Sequence, residues 1–186
     1  FDLGNNKLSS IPASAFSSLN NLLYLHLHKN YIQSIYSTMF SEFCCLKHID
    51  ISYNLLASLE NRTFSILYNL TTLILSSNRI SQISTEAFVN LHQLHTLYID
   101  GNLLHTFDGE TCSDLFSLQL FNMSDNRISH IIHFKADRQT FQHTLVSVTV
   151  IVDEYEICCL IEVYSRVNCK HIQIKQDIIG SCSMIL

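Results

Sequence analysis

Asparagine recurs at positions 6, 30, 54, 78, 102 and 126, a spacing that never varies across six copies. A constant period of this kind means one short structural unit stacked on copies of itself. Around each asparagine stands the pattern L-x-x-L-x-L-x-x-N-x-L. It reads LLYLHLHKNYI at 22–32, LKHIDISYNLL at 46–56 and LTTLILSSNRI at 70–80, then LHTLYIDGNLL at 94–104 and LQLFNMSDNRI at 118–128. The first copy is shortened to FDLGNNKL. The alternating x-L-x-L-x segment has the period of two that marks a strand with one buried face. Leu25 and Leu27 should therefore point inwards, as should Leu73 and Leu75. One repeat cannot bury its own apolar side, so neighbouring copies must supply the core, with their strands aligned into a parallel sheet. The asparagine amide has donors and an acceptor for backbone groups where the chain leaves the strand, a task no apolar side chain performs. A second column, Phe16, Phe40, Phe64 and Phe88, stands ten residues after each asparagine and should pack the opposite side. Cys112 takes the next place in that column and reads as a small buried apolar residue rather than a reactive thiol.

This pattern resembles the leucine-rich repeat family, in its 24-residue extracellular form, over residues 1 to about 155. The resemblance implies an α/β-type repeat solenoid: a horseshoe with a parallel concave β-sheet, an irregular convex side and a disulfide-rich C-terminal cap or hinge. The division expected is about six repeats plus a degenerate last one over 1–155, and a cysteine-rich hinge over 156–186. Fifteen residues, not ten, separate Asn126 from Phe141, so an insertion of about five precedes the last repeat, TFQHTLVSVTVIVDEYEICC. Terminal repeats are often irregular because they close an open core.

Composition removes several functions. Net charge is −5 and no basic stripe occurs, so nucleic acid is not an expected partner. Four glycines and one proline are too few for a disordered linker. No apolar run reaches the roughly 18 residues of a membrane-spanning helix. The chain opens at FDLGNN without Met or a signal sequence and closes at SMIL, which reads as a fragment of a longer protein. No nucleophile–base pairing, phosphate-cradling glycine loop or paired-carboxylate signature stands out, so neither enzyme activity nor a cofactor is expected. Three N-x-S/T sequons, at Asn61, Asn69 and Asn122, point to a secreted protein carrying glycans. Asn61 and Asn69 fall on the connecting side. Asn122 should face the concavity, where a sugar would obstruct part of a ligand surface.

The last thirty residues break the pattern. Asp153-Glu154-Tyr155 leads into Cys158-Cys159; Cys169 follows, then DIIGSCSMIL with Asp177, Ser181 and Cys182. This order resembles the hinge of leucine-rich repeat G-protein-coupled receptors, above all the relaxin-receptor-like group. There a D-E-[FY]-x-[FI]-C-C segment and a D-x-x-S-S-C segment precede the first membrane helix. Gly180 stands where that group usually has serine, and the spacing between the segments is looser. The resemblance implies a receptor on the extracellular side of the plasma membrane, with membrane contact only through segments outside this sequence. It would bind a peptide or protein hormone and signal to a G protein through a seven-helix domain beyond these residues. In an oxidising compartment Cys158, Cys159, Cys169 and Cys182 would form two bridges in one of three connectivities. A bond between the adjacent pair has poor geometry, so each is expected to join Cys169 or Cys182. A secreted or single-span adhesion protein with the same solenoid is the competing reading. The state of a second adjacent pair, Cys44 and Cys45, is left open.

Curved solenoids present their concave sheet to partners. The outward strand positions are Tyr24, His26, His28 and Lys29, then His48, Asp50, Ser52 and Tyr53, then His95, Thr96, Tyr98, Asp100, Asn122, Ser124 and Asp125. Tyrosines and acids suit recognition of a protein or basic peptide. In relaxin-type receptors concave acids meet hormone arginines, a role the resemblance gives to Asp50, Asp100 and Asp125. His26, His28 and His48 cluster on adjacent strands. A zinc site or a pH-sensitive surface is conceivable there, but ten histidines in one chain make ordinary surface the expectation, with no metal ligand assigned.

Overall fold

The computed structural model describes residues 1–11, 16 and 19–132, together with the backbone of 149–152 and 172–174. The chain winds as a parallel β-solenoid. Its main sheet has seven strands: β1 (Tyr24–His26), β2 (His48–Asp50), β4 (Thr72–Ile74), β6 (Thr96–Tyr98), β8 (Leu120–Asn122), β10 (Thr149–Val152) and β11 (Ile172–Ile174). Strands β1, β2, β4, β6 and β8 pair in one constant register, Leu25 opposite Ile49, then Leu73, Leu97 and Phe121 in turn. Val150 then stands opposite Phe121, so the last turn is longer than the others by the five-residue insertion. The main sheet continues to β11, inside the cysteine-bearing segment. Cys158, Cys159, Cys169 and Cys182 themselves lie outside the described residues, as does the expected bridge pattern.

The back of the solenoid is irregular. Short strands β3 (Ser58–Leu59) and β5 (Gln82–Ile83) pair with each other, as do β7 (Thr106–Asp108) and β9 (His130–Ile132). Turns of 3-10 helix occupy Ser37–Phe40 and Gly109–Cys112, and no α-helix occurs among the described residues. So short a turn of solenoid leaves too little chain for an amphipathic helix on the back, and brief i→i+3 turns take its place.

Packing follows the columns. Leu25, Leu27, Leu73 and Leu75 are fully buried, as are Phe40, Phe64 and Phe88. The phenylalanine rings stack along the axis, Phe40 on Phe64 at 5.7 Å and Phe64 on Phe88 at 6.1 Å between centroids. Cys112, the next member of the column, is also buried, its thiol pushed up to about 12 chiefly by burial. It is a packing residue.

The asparagines form a ladder. The Asn54 carbonyl oxygen accepts from Ile32 N at 2.9 Å, and its amide donates to Leu27 O and Ile51 O at 2.9 and 3.1 Å. Asn78 repeats this with Leu56 N, Ile51 O and Leu75 O, and Asn102 with Ile80 N, Leu75 O and Ile99 O. Each side chain therefore ties its own turn to the preceding one. The residue just before each asparagine is left-handed: Asn5, Lys29, Tyr53, Ser77, Gly101 and Asp125 all have φ between 53° and 65°. Only one is glycine, although L-residues resist this conformation.

Candidate functional site: the concave face

The register sorts the outward side chains into rows across the sheet. Tyr24, His48, Thr72, Thr96 and Leu120 form one row. His26, Asp50, Ile74, Tyr98 and Asn122 form the next. Strands β1 and β2 and the turns after them hold most of the aromatic and titratable groups, whereas β4 offers Thr72 and Ile74 and β6 adds Tyr98. Tyr24 and Tyr53 are more than half exposed. Tyr24 lies 6.0 Å from the His48 ring, His48 lies 5.0 Å from His26, and Lys29 Nζ sits 5.8 Å over Tyr53. His26, His28, His48, Asp50, Tyr98 and Asp100 are half-buried and Asp125 is exposed. Of the three acids expected on the concave face, Asp50 and Asp100 thus stand on it and Asp125 just past it, on the turn after β8.

Two expected surface residues are not at the surface. Ser52 and Ser124 are buried, at 7% and 3% exposure. Alternation points both outwards, but each hydroxyl turns back on its own strand. Ser52 Oγ and N donate to Asp50 Oδ1 at 2.6 and 2.9 Å, and Ser124 Oγ and N donate to Asn122 Oδ1 at 2.9 and 3.1 Å. These bonds hold Asp50 with one carboxylate oxygen committed. Ser76 does the same for Asp100 from the neighbouring turn, at 2.7 Å.

His28 is the least ordinary of the group. Its ring lies over Gly4, where any Cβ would overlap it. Nε2 meets the Asn5 amide at 3.2 Å, while Nδ1 is buried with no hydrogen-bond partner and faces Asp50 Oδ2 at 3.8 Å. One donor atom each from His26, His28 and Asp50 fall within 4.8 Å of one another. Grouping by sequence puts His48 in that cluster. The structure puts Asp50 there, because the parallel register sets it directly opposite His26. His48 stands beside them with its pKa lowered, first by burial and then by the charge of His26, against an opposing pull from Asp50.

The sequon residues separate between the two sides of the solenoid. Asn61 and Asn69 are exposed, and Asn69 donates to Cys44 O at 2.9 Å. Asn122 is on the concave face at the far end from β1. Cys44 and Cys45 are free thiols with Sγ atoms 3.5 Å apart. No described helix is long and apolar enough to cross a membrane.

The family model described as Leucine rich repeat matches residues 1–56, 44–104 and 68–128. The chain belongs to the leucine-rich repeat family. These matches span the ladder of asparagines from Asn6 to Asn126, the feature that builds the concave face. No curated protein matches the chain by sequence. Among solved structures, that of a TLR13–ssRNA13 complex is similar over 93% of this chain, with a TM-score of 0.71 and 24% identity. The chain spans 24% of the length of that chain, and at this identity the likeness speaks for the fold alone.

Proposed function

We propose that this leucine-rich repeat chain is ligand-binding ectodomain from a receptor, taking a peptide or protein on the first turns of its concave face. The observation that carries this reading is the crowding of Tyr24, His26, His28, Lys29, His48, Asp50 and Tyr53 onto β1, β2 and the turns that follow them. Exposed tyrosines give large contact area at small entropic cost, and mixed charge gives orientation. The neutral β4 stripe and a sequon at Asn122 leave the other end less suited to a macromolecular contact. The TLR13 structure was solved with single-stranded RNA. Net charge of −5 and the absence of a basic stripe argue against that ligand class here.

Within this reading, the order of cysteines from Cys158 to Cys182 favours a leucine-rich repeat G-protein-coupled receptor of the relaxin-receptor-like group. The partners would be a peptide or protein hormone outside the cell and a G protein inside it. Catalysis has no part in it. The test is binding of relaxin-type peptides to the chain displayed at a cell surface. Tyr24→Ala and Tyr53→Ala should each weaken binding about tenfold or more, as central aromatic contacts do, with Thr72→Ala neutral. Equal loss at Thr72, or no effect at either tyrosine, would move the contact elsewhere. Coding sequence beyond Leu186 separates the receptor from the adhesion reading: several apolar spans of about 20 residues against one or none.

A further inference from the structure

We propose that His26, His28 and Asp50 form a binding site for a divalent transition ion of the zinc class on the concave face. The inference stands on side-chain geometry and does not depend on the receptor reading. Two imidazoles and one carboxylate are a donor set suited to Zn2+, which takes nitrogen and oxygen ligands, usually four in a tetrahedron.

Three observations converge on it. The donor atoms lie within 4.8 Å of one another. A tetrahedral ion with bonds of about 2.0–2.1 Å needs donors roughly 3.3 Å apart, so modest side-chain rotation closes the site. His26 and Asp50 are half-buried rather than packed into the core.

Next, each of two ligands is already oriented by a neighbour. Ser52 occupies Asp50 Oδ1 with two hydrogen bonds and leaves Oδ2 directed at His28. The Asn5 amide occupies His28 Nε2. With the Asn5 oxygen turned towards the ring, His28 Nε2–H donates to it and the Nδ1 lone pair is fixed facing Asp50. A ring N–H held by an oxygen acceptor is the usual support for a metal-ligating histidine. Amide oxygen and nitrogen are interchangeable in shape, so this orientation needs no rebuilding.

The third observation is the orphaned atom. His28 Nδ1 is buried without a hydrogen-bond partner, and Asp50 Oδ2 at 3.8 Å is too far to serve as one. Buried polar atoms without partners are uncommon and carry a free-energy cost. An ion between Nδ1 and Oδ2 satisfies both. Gly4 is part of the construction, since only a residue without Cβ lets the His28 ring lie where it does. Three protein ligands leave a fourth position open towards the concavity. Water fills it in the free protein, and a carboxylate or imidazole of a bound partner can replace that water.

Zn2+ alone, titrated into the full chain by calorimetry near neutral pH, tests the proposal. The expected result is one site that His26→Gln and Asp50→Asn each weaken at least tenfold, while His95→Gln and His105→Gln leave it unchanged. His26 is half-buried at a strand end, so its variant retains the fold even if His28→Gln does not. Co2+ serves as the spectroscopic probe, because thiolate ligation gives an intense near-ultraviolet charge-transfer band that nitrogen and oxygen ligands lack. Weak visible bands alone, lost in His26→Gln, support the site. A thiolate band, no binding, or affinity unchanged in both ligand variants overturns it.

Discussion

One side chain in each repeat joins two turns. Asn78 is almost fully buried, accepts from Leu56 N and donates to Ile51 O and Leu75 O. Truncation leaves those backbone groups unpaired in an apolar interior. An unsatisfied buried group costs about 1–3 kcal/mol. Asn78→Ala should therefore destabilise the chain by roughly 3 kcal/mol or more in urea titration. Asn6 is exposed and bonds only within its own turn, to Leu3 O and Gly4 O, so Asn6→Ala should cost well under half as much. Similar losses at both positions would mean the ladder is not what joins the turns. Titration gives a second residue-scale outcome. Burial lowers the His48 pKa below its usual value, so the folded chain holds fewer protons there than the unfolded one at mildly acidic pH. That contribution to stability is present above the unfolded pKa of about 6.5 and is lost as pH falls below it. The melting temperature should fall between about pH 7.5 and 5.5, and His48→Gln should flatten the slope. A steeper slope in the variant would contradict the assignment. The asparagine ladder was legible in the sequence because it depends on residue type at a fixed spacing. The left-handed column before it was not. Asn5, Gly101 and Asp125 favour that conformation but Lys29, Tyr53 and Ser77 do not, and the N–H of each of these three donates to a carbonyl of the next turn. Ser52 and Ser124 were misplaced for a related reason: alternation gives the side a residue points to, not whether its hydroxyl folds back on a neighbour.

At the scale of the element, the strands are only two to four residues long and none would persist alone. Their stability comes from the columns that run through them. Phe64 lies between Phe40 and Phe88 in a continuous stack, all three fully buried. Phe64→Ala removes contacts to both neighbours and opens a cavity, which should cost about 3–5 kcal/mol. Cys112 continues this column, and its thiol is held protonated far above neutral pH. Iodoacetamide at pH 8 should label the exposed Cys44 in the native chain and reach Cys112 only after denaturation. Rapid native labelling of Cys112 would show that its turn opens. The main strands and the phenylalanine column could be read directly, since both are carried by apolar residues at one spacing. The small back strands β3, β5, β7 and β9 could not. Two or three residues carry no periodicity, and their pairing follows from the turns being stacked by other columns. The juxtaposition of His28 with Asp50 belongs to the same class. The two stand nearly a full repeat apart in sequence, and their meeting becomes visible only when the parallel register is laid down.

Across the whole molecule, a solenoid's stability is nearly a sum of its turns and the interfaces between them, so each end is where opening begins. Sulfur chemistry divides the chain along the same line. Cys44, Cys45 and Cys112, the cysteines within the described turns, are all free thiols. Dependence of stability on reductant is therefore expected from Cys158, Cys159, Cys169 and Cys182. If these join the last turn to the segment after it, two bridges contribute about 2–4 kcal/mol each, mostly by restricting the unfolded chain. Reduction should lower the melting temperature and loosen the C-terminal turn before the rest, visible as faster amide exchange around β10 than around β4. Peptide mapping without reduction should find Cys158 and Cys159 each joined to Cys169 or Cys182. Those two linkages are what would carry movement of a ligand-loaded concave sheet into a membrane segment. Four free thiols in material from an oxidising compartment, with a melting temperature indifferent to reductant, would remove that coupling and leave a binding solenoid without a receptor hinge.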